Sequence, residues 1–136
     1  MQMIEKIENN GELLALIMRN SYNKSGLNFL TREEHSFQVG IHNVKKGARY
    51  KAHKSLPFKK LENFKTNKIY YVKEGKVGVD IYDKKDKKVN YVNLNAGDLI
   101  LFVEGGHGLD ILKDSKVIEI KQGPYRGVEQ DKVFLE

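Results

Sequence analysis

Two histidines, His53 and His107, are the side chains of this chain best suited to bind a small ligand or to move a proton at neutral pH. His107 lies in the tetrapeptide Gly-Gly-His-Gly at residues 105–108, between apolar stretches at 99–103 and 109–112 that are typical of strands. Glycine neighbours leave space for a histidine ring to face a cavity. We therefore predict that His107 occupies a turn at the mouth of a pocket.

Glu119 and Tyr125 are two further polar side chains that could reach this pocket. Glu119 shares one face of a predicted strand at residues 116–121 with Lys121, while isoleucines occupy the opposite face. The charged face lines the pocket if it is buried, and it meets solvent if it is not. Tyr125 follows a Gly-Pro turn, and its ring either joins the pocket or packs over the end of the fold.

Short alternating segments separated by Gly, Asn, Asp and Lys turns predict that strands position these side chains. Residues 31–34 resemble a helix cap, with room for one helical turn. We expect residues 69–73 and 77–82 to pair as a hairpin across residues 74–76. A series of short strands with brief turns predicts an all-β, antiparallel sandwich or barrel. The predicted strands are residues 12–19, 28–30, 37–44, 49–53, 69–73, 77–82, 89–94, 99–103, 109–112 and 116–121.

Length and composition predict one domain without cysteine chemistry. The chain has 136 residues and no Cys, which excludes disulfides, thiolate metal sites and a cysteine nucleophile. Its N-terminal apolar stretch at residues 13–18 is far shorter than the roughly 20 residues that a membrane span needs, and it does not resemble a signal peptide. We therefore expect a cytoplasmic protein.

The net charge of +6 raises nucleic acid as a partner, because clustered cations bind phosphates. Lysines concentrate at residues 84–88 around Asp83 and Asp86, and lysines outnumber the arginines that phosphate and base recognition favour. A solvated hairpin tip explains that cluster better. We therefore expect no nucleic-acid partner, and the short apolar stretch at residues 13–18 predicts no membrane partner either.

Motifs of several other enzyme classes do not occur in the sequence. The glycines at residues 105–108 lack the spacing of a dinucleotide-binding turn, and there is no P-loop, no H-E-x-x-H and no G-x-S-x-G. None of the serines lies in a recognisable nucleophile elbow. Nucleophilic catalysis is therefore disfavoured.

The segment Gly-Gly-His-Gly at residues 105–108, the segment Lys-Gln-Gly-Pro-Tyr at 121–125 and the pair Asp131-Lys132 resemble the small single-domain bacterial cupins. Gly97, Asp98 and His107 match the second cupin motif. The resemblance implies an antiparallel double-stranded β-helix, the cupin jelly-roll barrel. It implies a single domain over residues 1–136, with an N-terminal strand region at 1–25 and the barrel at 26–134.

The first cupin motif is incomplete in this chain. His53 matches the first histidine of the family's pair, whereas Ser55 stands at the second histidine and Lys68 at the glutamate. Serine is a poor ligand for transition metals, and an ammonium has no lone pair to donate. We therefore expect no cofactor. If a divalent metal (Zn, Ni, Fe or Mn) is bound, the resemblance assigns it to His53 and His107, with Glu62 as a candidate third ligand.

The resemblance implies a function in bacterial surface-sugar biosynthesis. The pocket would bind a small anionic or carbohydrate-type ligand and could act as a metal-independent sugar-nucleotide isomerase or epimerase. Two alternatives are a non-catalytic binding module and a metal-dependent enzyme with substitute ligands. The expected catalytic residues are His53, His107, Glu119 and Tyr125, and the expected ligand-binding residues are Lys68, Ser55, Tyr70, Lys121 and Gln122.

A homodimer is also expected. Residues 12–19 read as an apolar strand near a terminus, and a free strand edge is stabilised by pairing with a second copy. Many cupins associate in this way.

Overall fold

Ten antiparallel strands make up the regular structure of the described residues. The structure is a computed structural model that describes residues 3–58, 65–123, 127, 129 and 132–136. Within these residues, no helix is both long enough and apolar enough to span a bilayer. The strands are β1 (Ile4–Asn9), β2 (Glu12–Met18), β3 (Gly26–Phe29), β4 (Gly40–Asn43), β5 (Lys68–Glu74), β6 (Lys76–Tyr82), β7 (Lys88–Asn95), β8 (Leu99–Phe102), β9 (Gly106–Ile111) and β10 (Lys116–Lys121).

The chain forms two compact units, and the first is made of Met1–Tyr22 together with Thr66–Glu136. This unit contains a five-stranded sheet in the order β1-β2-β8-β5-β10 and a three-stranded sheet in the order β7-β6-β9. Both sheets contribute side chains to one hydrophobic cluster, among them Ile17 of β2, Ile100 of β8 and Leu94 of β7. Val77, Val79 and Ile81 of β6 are buried there. Their burial confirms the face predicted from the sequence.

β5 and β6 are consecutive in sequence, but they belong to different sheets. The predicted hairpin across residues 74–76 is therefore wrong, although both strands exist. Gly75 connects them with a φ of +94°, and a Cβ at this position would lie 2.4 Å from the backbone oxygen of Asp114. The glycine carries the chain from one sheet to the other because only glycine fits this crowded left-handed position.

β2 is an interior strand, whereas the sequence predicted it as a free edge. β1 was not predicted from the sequence, because three of its six residues are charged and hide its strand character. β1 pairs with β2 through the two-residue turn Asn10-Gly11, and both turn residues have positive φ. Asn-Gly is the preferred pair for such hairpin turns. β2 also pairs with β8, so this strand offers no free edge to a second copy. The homodimer stays a prediction.

The second unit is Asn23–Lys65, and its regular structure in the described part is the β3-β4 hairpin. The strand predicted at residues 37–44 is shorter than expected. The strand predicted at residues 49–53 is not formed, and these residues are irregular and exposed. Residues 31–34 belong to a single turn closed by the His35 amide, which donates to the Arg32 carbonyl.

A buried carboxylate, Asp98, fixes the turn between β7 and β8 in the first unit. Its Oδ2 lies 2.9 Å from Nη1 of Arg19 and accepts the Asn95 amide at 2.8 Å, while its Oδ1 accepts the Asn20 amide at 3.0 Å. Arg19 also pairs with Glu5, which is the largest reason that the pKa of Arg19 is raised. Asp98 therefore joins the ends of three strands through charge-assisted hydrogen bonds.

The substitution Asp98→Asn should lower the free energy of unfolding by about 2–4 kcal/mol, because it removes one charge of a largely buried pair. Asp86→Asn is the matched control, since Asp86 is exposed at the tip of the β6-β7 hairpin, and it should change stability by no more than about 0.5 kcal/mol. Urea unfolding followed by circular dichroism measures both values. Equal losses in the two variants would contradict this role for Asp98.

Candidate functional site

A cavity of about 450 Å³ opens in the first unit, within the size range of small-molecule sites. Residues of both sheets line it, and so does the segment at residues 132–136. The lining combines cationic and aromatic side chains with three glycines, one just before β9 and two within it. Its chemically informative members are Lys68, Tyr70, Phe102, His107, Lys121 and Lys132.

His107 lies in β9, opposite Ile81, rather than in a turn as predicted. The turn lies two residues before the histidine, at Gly105, where φ is +77° and a Cβ would lie 2.0 Å from the backbone oxygen of Tyr82. Pairing with β6 therefore holds the histidine in an extended backbone. The expectation that the ring lines a pocket is met in the first unit.

The His107 ring is packed among aromatic side chains. It stacks on Phe102 with ring centroids 3.9 Å apart and an interplanar angle of 11°. Tyr70 approaches it edge-on at 5.7 Å and 86°. These contacts exclude water from one face of the imidazole and fix its plane.

This environment lowers the pKa of His107 to about 4. Burial is the largest cause, and the positive charges of Lys68 and Lys132 add to it, while the negative charge of Glu119 opposes them. The ring is therefore neutral at pH 7, with one nitrogen that donates a hydrogen bond and one that accepts.

Lys68 and Glu119 form an ion pair beside the histidine. Nζ of Lys68 lies 3.5 Å from Oε1 of Glu119, and the lysine side chain is 16% exposed against 43% for the glutamate. Glu119 sits opposite Tyr70 in the β10-β5 pairing. Burial raises the pKa of Tyr70 to about 12, helped by the charge of Glu119 and by a hydrogen bond to it. The Tyr70 hydroxyl therefore keeps its proton at neutral pH.

The sequence left open which face of β10 is enclosed. Lys121 lines the cavity, and Glu119 on the same face reaches Lys68. Ile118 and Ile120, on the opposite face, are exposed. Hydrophobicity alone predicts that the isoleucines face inward. The register with β5 instead places Glu119 and Lys121 on the face toward the cavity.

Gln122, predicted to bind ligand, contacts the backbone beside the pocket. Its Oε1 accepts a hydrogen bond of 2.6 Å from the Asn67 amide, immediately before β5. The buried Asn67 side chain in turn donates to the Val103 carbonyl at 3.2 Å. These bonds fix the start of β5 and thereby the position of Lys68.

Two lining residues, Phe102 and Lys132, were missed by the sequence reasoning. Phe102 pairs directly with Lys68 across β8 and β5, a register that no local pattern encodes. Lys132 lies beyond the last strand, where the sequence carries no element signal. Lys132 entered the sequence analysis only as part of the Asp131-Lys132 pair, and no local pattern places either residue in the pocket, because both reach it through long-range contacts.

His53 and Ser55 belong to the second unit, where both are exposed in an irregular segment. Nδ1 of His53 lies 3.0 Å from the carbonyl oxygen of Lys51. Tyr125 and Glu62 lie outside the described residues. The first unit thus brings together Lys68, Tyr70, His107, Glu119 and Lys121 from the predicted set.

The donors gathered in this pocket do not fit a divalent metal ion. Among the described residues, no group of three or more His, Cys, Asp or Glu side chains is placed to hold one. The charge of Lys68 already lowers the pKa of His107, and the same ammonium would repel a cation.

The chain matches no protein-family model, no curated protein and no solved structure. The cupin resemblance therefore rests on the sequence motifs that suggested it.

Replacing Lys68 by Met should raise the pKa of His107, because the substitution removes a positive charge that disfavours the imidazolium. Nitrogen-15 NMR of the imidazole during an acid titration measures the change. Lys121→Met is the control, since Lys121 lines the same cavity but is not among the charges that shift this pKa. A larger rise in the control would contradict the assigned role of Lys68.

The lowered pKa of His107 also predicts how stability depends on pH. Between 6.5 and about 4, the unfolded chain binds a proton at this histidine and the folded chain does not, so acid destabilises the fold in this range. We expect His107 to account for about 2 kcal/mol of the loss, after allowance for the partial exposure of its ring. The free energy of unfolding, measured with urea at pH values from 7 to 4, should fall less steeply for His107→Phe than for the wild type. Parallel curves would rule the contribution out.

Proposed function

We propose that the first unit binds a small anionic ligand of carbohydrate type in the cavity around Lys68 and His107. The observation that carries the proposal is the convergence of three lysines with an aromatic wall in one cavity of about 450 Å³. Such a combination suits a compact molecule that has both a charged group and an apolar face.

The charges of the pocket favour an anion. Lys68, Lys121 and Lys132 line it, and Glu136 is the acidic residue of the lining. Glu119 holds Lys68 at 3.5 Å and is itself partly exposed. A carboxylate, sulfate or phosphate group of the ligand would compete with Glu119 for this ammonium and would form a charge-assisted hydrogen bond. The pair thus fixes the position of the lysine beside the cavity.

The aromatic wall supplies the second part of the recognition. Phe102 and His107 present stacked rings, and Tyr70 stands edge-on to the histidine. The face of a sugar ring that carries its C–H groups packs well against such a surface. The Tyr70 hydroxyl and the neutral imidazole can form hydrogen bonds with the hydroxyl groups of the sugar.

A second candidate function is metal-independent proton transfer on the bound sugar, as in a sugar-nucleotide isomerase or epimerase. It is favoured by the protonation states: His107 can accept a proton, Tyr70 can donate one, and Lys68 can stabilise an enolate. A bound anion would offset the charge of Lys68 and raise the pKa of His107 toward the range in which a histidine is an efficient base.

We also propose that the chain adopts a cupin jelly-roll fold, is located in the cytoplasm and functions in surface-sugar biosynthesis. Two antiparallel sheets that share a core and enclose a pocket support the jelly roll. The second cupin motif supplies His107 to that pocket.

Glucose 1-phosphate and uridine diphosphate glucose are suitable probes for the binding proposal. Either probe should perturb the imidazole signals of His107 in NMR titrations, and Lys68→Met should weaken binding by about tenfold through loss of a charge-assisted contact. Lys85→Met removes the same charge from the exposed β6-β7 hairpin and should bind like the wild type. Equal weakening in both variants, or no response to any phosphorylated or carboxylated sugar, would refute the proposal.

Proton transfer is tested separately in deuterium oxide. If the protein acts as an isomerase or epimerase, a bound keto-sugar nucleotide should gain deuterium at the carbon beside its carbonyl, and His107→Phe should abolish the exchange. Binding without exchange would leave the non-catalytic module as the function.

A further inference from the structure

The second unit carries a continuous cationic segment at residues 44–58. It contains five cations and no acidic residue, and every residue from 42 to 58 is exposed. The whole chain has a net charge of +6, so this segment holds much of the excess positive charge. The cations are Lys45, Lys46, Arg49, Lys51 and Lys54.

The lysines at residues 84–88 are almost as numerous as the cations of the segment at 44–58, but their surroundings differ. Lys88 lies 2.6 Å from Asp80 and Lys84 lies 3.4 Å from Glu12. Asp83 lies within the same hairpin, and hydrogen bonds from the backbone of Lys87 are the largest cause of its lowered pKa. Nearby carboxylates thus compensate that cluster, whereas the cationic segment contains none.

Large apolar side chains are interleaved with the cations. Leu56 is 81% exposed, Phe58 is 79% exposed and Tyr50 is 52% exposed. Apolar groups this accessible within a run of cations are a composition typical of segments that lie in a membrane interface.

The start of the segment is anchored to the β3-β4 hairpin. The side-chain amide of Asn43 donates to the carbonyls of Asn23 and Lys24 at 2.9 and 3.1 Å. Nδ1 of His42 lies 3.0 Å from the Tyr50 hydroxyl, and the two rings meet edge-on. The hairpin therefore holds one end of the segment, while Leu56 and Phe58 extend from the other.

We propose that the cationic segment binds the surface of an anionic lipid bilayer. Its lysines attract the headgroup phosphates, and Leu56 and Phe58 enter the boundary between headgroups and acyl chains. Four of its five cations are Lys, whereas nucleic-acid recognition favours Arg forks, and Leu56 has no aromatic face on which a base could stack. This inference is independent of the pocket, and it replaces the expectation of no membrane partner, which rested on the short apolar stretch at residues 13–18.

Co-sedimentation with vesicles tests the proposal on the full chain. Vesicles that mix phosphatidylglycerol with phosphatidylcholine should bind the protein, and vesicles of phosphatidylcholine alone should bind it much more weakly. Raising NaCl from about 0.05 M to about 0.5 M should release it, because salt screens exposed charges. Lys51→Glu/Lys54→Glu should weaken binding at least about tenfold, from two reversed charges. Leu56→Ser/Phe58→Ser should weaken it with little change in the salt dependence.

Lys85→Glu/Lys87→Glu is the matched control, because it changes the net charge equally on another exposed surface. Circular dichroism checks that each variant is folded. The control should keep wild-type binding, which separates a specific segment from a general effect of charge. Absence of binding to the anionic vesicles, equal losses in the two charge-reversed variants, or tighter binding to a single-stranded oligothymidylate than to vesicles would each overturn the proposal.

Discussion

The alternation of side chains along paired strands is the constraint on which the first unit depends. Along one face of β5, the residues pass from Val72 in the core to Tyr70 at its margin and then to Lys68 in the cavity. β10 repeats this sequence from Val117 to Lys121. The same geometry that buries the apolar residues therefore carries charged ones into the pocket without a separate loop to hold them. The stability of the core and the position of the site are thus properties of the same strands.

Desolvation sets the chemical character of that pocket. Phe102 and the surrounding sheets remove water from His107, and the neighbouring lysines make its protonation still less favourable. The same burial keeps the proton on Tyr70. The site therefore combines a neutral acceptor, a neutral donor and neighbouring cations, a combination that would favour an anionic group by charge. Compared with the same side chains in water, packing widens the pH range over which the histidine is neutral and the range over which the tyrosine keeps its proton.

Local chemistry was readable from the sequence, whereas pairing was not. The buried face of β6 and the bounds of β10 follow from alternation and were predicted correctly. The sheet membership of β5 depends on contacts with strands that follow it by some thirty to fifty residues, which no local signal encodes. His107 shows the same limit, because the glycines beside it suggested a turn, while pairing with β6 makes it part of a strand.

The first unit is discontinuous in sequence, and this has a consequence for the order in which it forms. β2 lacks its partner β8 until residue 102 has been synthesised, and β5 lacks its partner β10 until residue 121 has been synthesised. The β1-β2 hairpin and the β3-β4 hairpin, by contrast, close over short distances and can form on the ribosome as soon as they emerge. During translation, the apolar residues of β2 therefore remain without β8 while about eighty further residues are synthesised, a period in which exposed apolar strands are prone to aggregate.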